Sequence, residues 1–235
     1  GPTASDASGN NRNGTYATSG VTYQQLGAIA DSDRAVQFSG NNGQGYVSVP
    51  NNTALNPSSG SFSVEAWINL TDTTTWNTVI DSRSLNPFWT SGYELRQSAG
   101  TSDLNWTIMS ASGYSRVTKA LTPGVWNHVV ATYNITTKLA QLYVNAGTPA
   151  AGTITNGYTP NTTTPFLIGG GNGNGSGNNF HGAIDEVAFY NTALTAAQVT
   201  AHYDAGMLWF NPGNGGSLKL PIQPTPTYWD NDPSH

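Results

Sequence analysis

A chain of 235 residues with 37% hydrophobic and only 9% charged residues can bury one sizeable core, and it hydrates its surface mainly through Gly, Asn, Thr and Ser. Eight basic against thirteen acidic residues give a net charge of −5 with no run of Lys or Arg, so nucleic acid is not an expected partner. Cysteine is absent, which removes disulfide frameworks and thiolate metal sites, and no apolar run approaches a membrane span, so membrane insertion is not expected either.

Residues 1–14 are turn-rich and hold one carboxylate, Asp6, ahead of a Gly/Asn cluster. Residues 35–49 read as two short strands, AVQF and YVSV, joined by SGNNGQG, where Gly and Asn accommodate a tight turn. The stretch 62–70, FSVEAWINL, is a strong strand with Phe62, Val64, Ala66 and Ile68 on one side and Glu65 and Trp67 on the other. Glu65 beside Trp67 invites a glycosidase reading, but retaining chemistry needs a second carboxylate about 5 Å away, and no nearby motif supplies one. Glu65 is therefore read as structural.

Residues 71–123 are the most aromatic part of the chain and interleave those rings with Arg83, Arg96 and Arg116. Strands are predicted at 78–82, 93–97, 104–110 and 115–119, with Trp106 alternating between Leu104 and Ile108 as a packing residue. Trp76 follows TDTTT, and Phe88 and Trp89 follow a proline, so these three read as loop residues. An indole face stacks on the apolar side of a pyranose ring while a nearby Arg or Asn holds hydroxyls. The predicted ligand-binding set is therefore Trp76, Arg83 and Trp89, with Arg96 and Asn179.

The clearest folding instruction is GVWNHVVATYNITTKLAQLYVNAG over 124–147, a β-hairpin in which Val129, Ala131 and Tyr133, then Ala140, Leu142 and Val144, alternate with their neighbours. One face of each strand must then be covered by a second sheet. His128 reads as a packing histidine. PFLIGGG over 165–171 is a further strand, followed by the loop NGNGSGNNF and the strand HGAIDEVAFY over 181–190. Asp185 and Glu186 form a close acidic pair, but successive strand residues point to opposite faces, so regular geometry would keep them from one site. Thr195 caps a short helix, with Gln198 completing a capping box and Gly206 closing it. Residues 207–235 are a Pro/Gly-rich extension or linker, in which LKLPIQ is expected to pair as an edge strand.

The order AVQFSGNNGQGYVSVP, FSVEAWI, GVWNHVVATY, LYVNAG, PFLIGGG and FHGAIDEVAFYNTALTAAQVTAHY resembles the concanavalin A-like, laminin G-like jelly roll across roughly residues 5 to 206. The resemblance implies an all-β fold of two antiparallel sheets with a short C-terminal helix, and a first strand that is missing from the turn-rich opening. It also implies a structural calcium between the early Gly/Asn loop and the I-D-E strand, where Asp185 matches the strand position and Asp6, Asn41 and Gly43 are the further candidate ligands. Enzyme signatures such as H-E-x-x-H, the P-loop and G-x-S-x-G are absent from the sequence. The expected function is a non-catalytic, lectin-like module that binds a polysaccharide or other glycan, within a secreted or cell-surface bacterial protein of several domains. The alternative is a structural or protein-binding spacer of a large adhesin.

Overall fold

The computed structural model describes residues 1–29, 33–40, 43–85, 87, 89–171, 178–208 and the backbone of 227–230. Asn41, Phe88, the loop core 172–177, and LKLPIQ lie outside the described residues. The strands form a two-sheet sandwich in which every pair is antiparallel, as expected.

Sheet A runs β10 (Gly113–Ala120), β9 (Asp103–Ser110), β8 (Tyr93–Gln97), β7 (Asn77–Asp81), β14 (Phe166–Ile168), β5 (Val47–Val49), β2 (Gly14–Tyr16) and β1 (Thr3–Asp6). Sheet B runs β16 (Thr227–Asp230), β15 (His181–Tyr190), β6 (Phe62–Leu70), β11 (Trp126–Asn134), β12 (Leu139–Val144) and β13 (Ala150–Thr153), with β4 (Ala35–Ser39) on β15 and β3 (Val21–Gln25) on β4. The hairpin is confirmed in register, Val129 facing Val144 and Tyr133 facing Ala140.

One expectation about the strands changes. The opening segment does contain a strand, β1, and it pairs with β2 on one edge and with β16 on the other, so it joins both sheets. Its sequence, TASD, has no apolar alternation to announce it. In the C-terminal extension, the expected edge strand LKLPIQ lies outside the described residues, and the described strand is TYWD. It shares the outer edge of β15 with β4, which takes His181 to Ile184 while β16 takes Val187 to Phe189.

Alternation decides what is buried. Phe62, Val64, Ala66 and Ile68 from β6 meet Tyr93, Leu95, Trp106 and Ile108 from sheet A in one core. Phe62 is its aromatic centre, with ring centroids 4.9 Å from Tyr93 and 5.9 Å from Phe189. Trp106 crosses the sandwich, its Nε1 donating to the Thr132 carbonyl at 3.0 Å.

Helix α1 (Ala196–Leu208) covers the outer face of sheet B, where Leu194 and Val199 pack on Val130, Tyr143, Ala188 and Tyr190. The capping box is formed: Thr195 N donates to Gln198 Oε1 at 2.9 Å, and Gln198 N to Thr195 Oγ1 at 3.3 Å. Gly206 lies inside the helix rather than closing it. A Cβ there would stand 2.7 Å from Cζ2 of Trp67, so glycine is needed to let the helix approach the sheet.

Candidate functional site

With α1 on sheet B, the corresponding outer face of sheet A is the one that carries the predicted binding residues. On β8, Tyr93, Leu95 and Gln97 turn inward or sideways into packed structure, so Glu94 and Arg96 share the outer face. Strand pairing then sets two rows across this face: Arg116, Thr107, Glu94 and Asp81, and beside it Thr118, Asn105, Arg96 and Thr78. Residues far apart in the chain thus become neighbours.

Two flanking loops bring indoles over these rows. The Arg96 guanidinium lies 4.3 Å from the Trp76 ring centroid and 5.3 Å from that of Trp89, and Arg83 lies 5.0 Å from Trp89. These are cation–π distances. Trp89 also meets Tyr114 at 4.9 Å, and Arg116 stands over Tyr114 at 5.1 Å while donating to its hydroxyl at 3.1 Å. Trp89 adopts a left-handed backbone, φ 63°, which is costly for a bulky side chain and is held here by its packing on two arginines.

Beneath the indoles lies a buried ion-pair group. Arg83 is only 1% exposed and its Nε sits 2.8 Å from Asp81 Oδ2. Glu94 is fully buried, 3.5 Å from Arg83 Nη2 and 3.4 Å from Arg96 Nε. Neither Glu94 oxygen has a hydrogen-bond partner among the described residues. Burial, and after it the charge of Asp81, pushes the Glu94 carboxyl up to about 7 against the pull of Arg83, Arg96 and Arg116.

The structure therefore brings together Trp76, Arg83, Trp89 and Arg96 of the predicted set, with different roles. Trp76 is 37% exposed and Tyr114 45%, so these rings face solvent, whereas Arg83 is a buried support beneath Trp89. Asn179 stands apart. It pairs with Thr78 at the edge of β7 and its amide nitrogen donates to the carbonyls of Gln44 and Gly45, so it does not present a free donor. Sequence reasoning missed Glu94 and Asp81. The alternation in YELRQ, which sets Glu94 on one side with Arg96, was the available signal for the first.

The loop that carries Trp89 also borders an open groove of about 430 Å³ lined by Ser84, Pro87, Thr90, Ala111, Thr159 and Thr163. It is rich in hydroxyls and holds no charged side chain.

Of the predicted metal residues, Asp6, Gly43 and Asp185 lie within the described residues. Asp6 organises its own turn, accepting from the Ser8 amide at 3.0 Å and the Arg12 amide at 2.8 Å. Gly43 has a left-handed backbone, φ 70°, with open space around it. Asp185 accepts from the Ala28 amide at 2.7 Å and lies with Asp33 and Glu186, their ligand oxygens within 4.8 Å of one another. The adjacent pair Asp185 and Glu186 reaches one group after all. Glu186 has a φ of 50°, and the β15 register against β6 shifts between Asp185 and Ala188, so a β-bulge breaks the alternation that would separate them.

On the other sheet, Glu65 is buried under α1 between two imidazoles, Oε1 2.6 Å from His128 Nε2 and Oε2 2.8 Å from His202 Nδ1.

No curated protein sequence is recognisably similar to the chain. Among solved structures it resembles the binding domain of Paraclostridial Mosquitocidal Protein 1, with a TM-score of 0.66 and 18% identity over 89% of this chain and 53% of that one. It likewise resembles the botulinum neurotoxin serotype G binding domain, with a TM-score of 0.64 and 14% identity over 84% of this chain and 47% of that one. The chain thus spans about half the length of these binding domains, and at such identity the likeness concerns the fold. A family model matches residues 41–200, and with its sheets, helix and core in place the chain belongs to the Laminin_G_3 family of the concanavalin A-like lectin/glucanases superfamily.

Proposed function

We propose that the chain is a non-catalytic carbohydrate-binding module of a secreted or cell-surface bacterial protein, and that its glycan site is the outer face of sheet A. The observation that carries this reading is the exposed Trp76 ring set against Arg96 on a rigid sheet, with Tyr114 and Arg116 beyond it. Arg96 occupies one face of the indole, and the exposed remainder is the kind of apolar platform a pyranose ring covers. Placing the anchors beside paired strands keeps the ordering cost of binding low. A related fold, a botulinum neurotoxin DC binding domain, is described in complex with SialylT, which supports a glycan role for this architecture. Among the described residues no helix is long and apolar enough to cross a membrane.

Native affinity electrophoresis against a panel of polysaccharides tests the reading, with a Trp76→Ala and Trp89→Ala double variant in parallel. Retardation by one polymer, lost in the variant, is expected. Equal migration of both proteins in every gel would overturn it. A solved neighbour described as a receptor binding domain favours the protein-binding, adhesive alternative, and that reading would then lead.

Calcium belongs to the proposal as a structural ion. A hard cation takes six to eight oxygens, many from backbone carbonyls, and the carboxylates that fit are Asp185, Asp33 and Glu186, gathered at the β15 bulge. They would fix the connection after β3 to the edge of sheet B, well away from the indoles in the chain's topology.

A further inference from the structure

The sequence has no basic run, yet three of its five arginines, Arg83, Arg96 and Arg116, converge on one sheet face of a chain with net charge −5. We propose that this face binds an anionic glycan, one whose sugars carry carboxylate or sulfate groups, through Arg96 and Arg116, with Trp76 and Tyr114 stacking on the adjoining rings. The inference rests on the glycan-binding reading and names the class of glycan.

The charge on the face is unevenly shared. Asp81 is committed to Arg83, accepting from its Nε at 2.8 Å and from its backbone amide at 2.8 Å. Glu94 is the remaining carboxylate, and it lies 3.5 Å from Arg83 and 3.4 Å from Arg96 without a hydrogen bond to either. Arg116 has no carboxylate partner among the described residues; its neighbour is the Tyr114 hydroxyl. Three guanidinium groups thus face two buried carboxylates, one of them held up at about 7. Burial, with the like charges of Arg83 and Arg116, holds the Arg96 guanidinium below its usual range against the opposing pull of Glu94 and Asp81. An incoming anion relieves that crowding.

Geometry agrees with charge. Arg96 and Arg116 are two strands apart on β8 and β10, roughly 10 Å across the sheet, in adjacent rows, so one extended polymer can lie over both. A planar guanidinium binds carboxylate or sulfate through two parallel hydrogen bonds, which a hydroxyl cannot match. A protein of net charge −5 gains nothing from diffuse attraction to a polyanion, so retention must come from a local site.

The test uses matched polymers of one backbone: dextran with dextran sulfate, and methyl-esterified with de-esterified polygalacturonate, for the intact chain and for Arg116→Gln. Arg116 is exposed, so that variant keeps the fold, checked by its melting curve. The charged member of at least one pair is expected to retard the protein more than its neutral counterpart, and Arg116→Gln to weaken this roughly tenfold. Which pair responds distinguishes sulfate from carboxylate. Binding to neutral members alone would overturn the anionic inference while leaving the glycan-binding reading intact, and binding to none would overturn both. Retention by a charged polymer that Arg116→Gln and Arg96→Gln leave unchanged would also overturn the inference.

Discussion

Glu65 in β6 reaches His202 in helix α1, with Oε2 2.8 Å from Nδ1, so the C-terminal helix is fastened to sheet B by a buried polar contact as well as by apolar packing. Burial alone would raise this carboxyl, but hydrogen bonds and charge from His128 and His202 prevail and hold it down at about 2. A depressed carboxyl stabilises the fold above its unfolded value of 4.5, and that contribution fades as pH falls toward 2. At neutral pH it is worth roughly 3 kcal/mol. Glu65→Gln is expected to lose about that much in urea melts at pH 7, and the difference from the parent chain to shrink steadily in melts below pH 4.

Gly206 tests how tightly the same helix is seated. Alanine in a helix interior gains about 1 kcal/mol over glycine. Here the added Cβ would meet Trp67 Cζ2 at 2.7 Å and Ile29 Cγ2 at 3.0 Å, and the indole is confined between helix and sheet. Overpacking costs about 1 to 3 kcal/mol, so the clash wins and Gly206→Ala is expected to lower the melting temperature by a few degrees. An unchanged or higher melting temperature would mean that the helix has room to shift.

Calcium should act at the β15 bulge. Millimolar calcium is expected to raise the melting temperature by roughly 4 °C, with a chelator reversing the effect. Asp185→Asn should abolish the response. A response that survives Asp185→Asn would move the ion elsewhere.

The raised Glu94 carboxyl gives the arginine face a pH dependence near neutrality. Its surroundings are Asp81 and Arg83 at and just after β7, Arg96 beside it on β8, Thr107 across on β9 and Arg116 on β10. Below about 7 the carboxyl is neutral and the three arginines meet one carboxylate fewer. Anionic glycan should therefore bind more tightly at pH 6 than at pH 8. Glu94→Gln, a permanent mimic of the neutral acid, should bind at pH 8 as the parent does at pH 6. Stability runs with the same sign: between 4.5 and about 7 the folded state keeps a proton that the unfolded chain releases, so the fold weakens as pH rises. In the variant that slope should flatten.

The sandwich was legible because its signals are local. Alternation in FSVEAWINL and across the central hairpin reports which face is buried, and Thr195 with Gln198 spells out a helix start within four residues. The indole loops were legible for the same reason, from Trp76 and Trp89 standing outside any alternation. What escaped is made by pairing. Arg83 and Arg96 were legible as partners of the indoles, but the carboxylates among them were not, since only the pairing of β7 with β8 aligns Asp81 with Glu94, and nothing in AIDEVAF shows that Glu186 takes a left-handed turn that reunites it with Asp185. The strand β1 was invisible because TASD owes its place to hydrogen bonds with β2 and β16 rather than to its own hydrophobicity.

That last pairing has a kinetic consequence. Ser5 lies opposite Asp230, so one of the contacts that link the two sheets joins residues 225 positions apart. Closing so long a loop is entropically slow, and contacts of this span lower folding rates. During synthesis this edge of β1 must wait until the residues up to Asp230 have emerged. Until then the far half of β15's outer edge and the free edge of β1 stay unpaired, the open strand edges on which chains join one another. The step that completes the sandwich is thus also the one that protects it from aggregation.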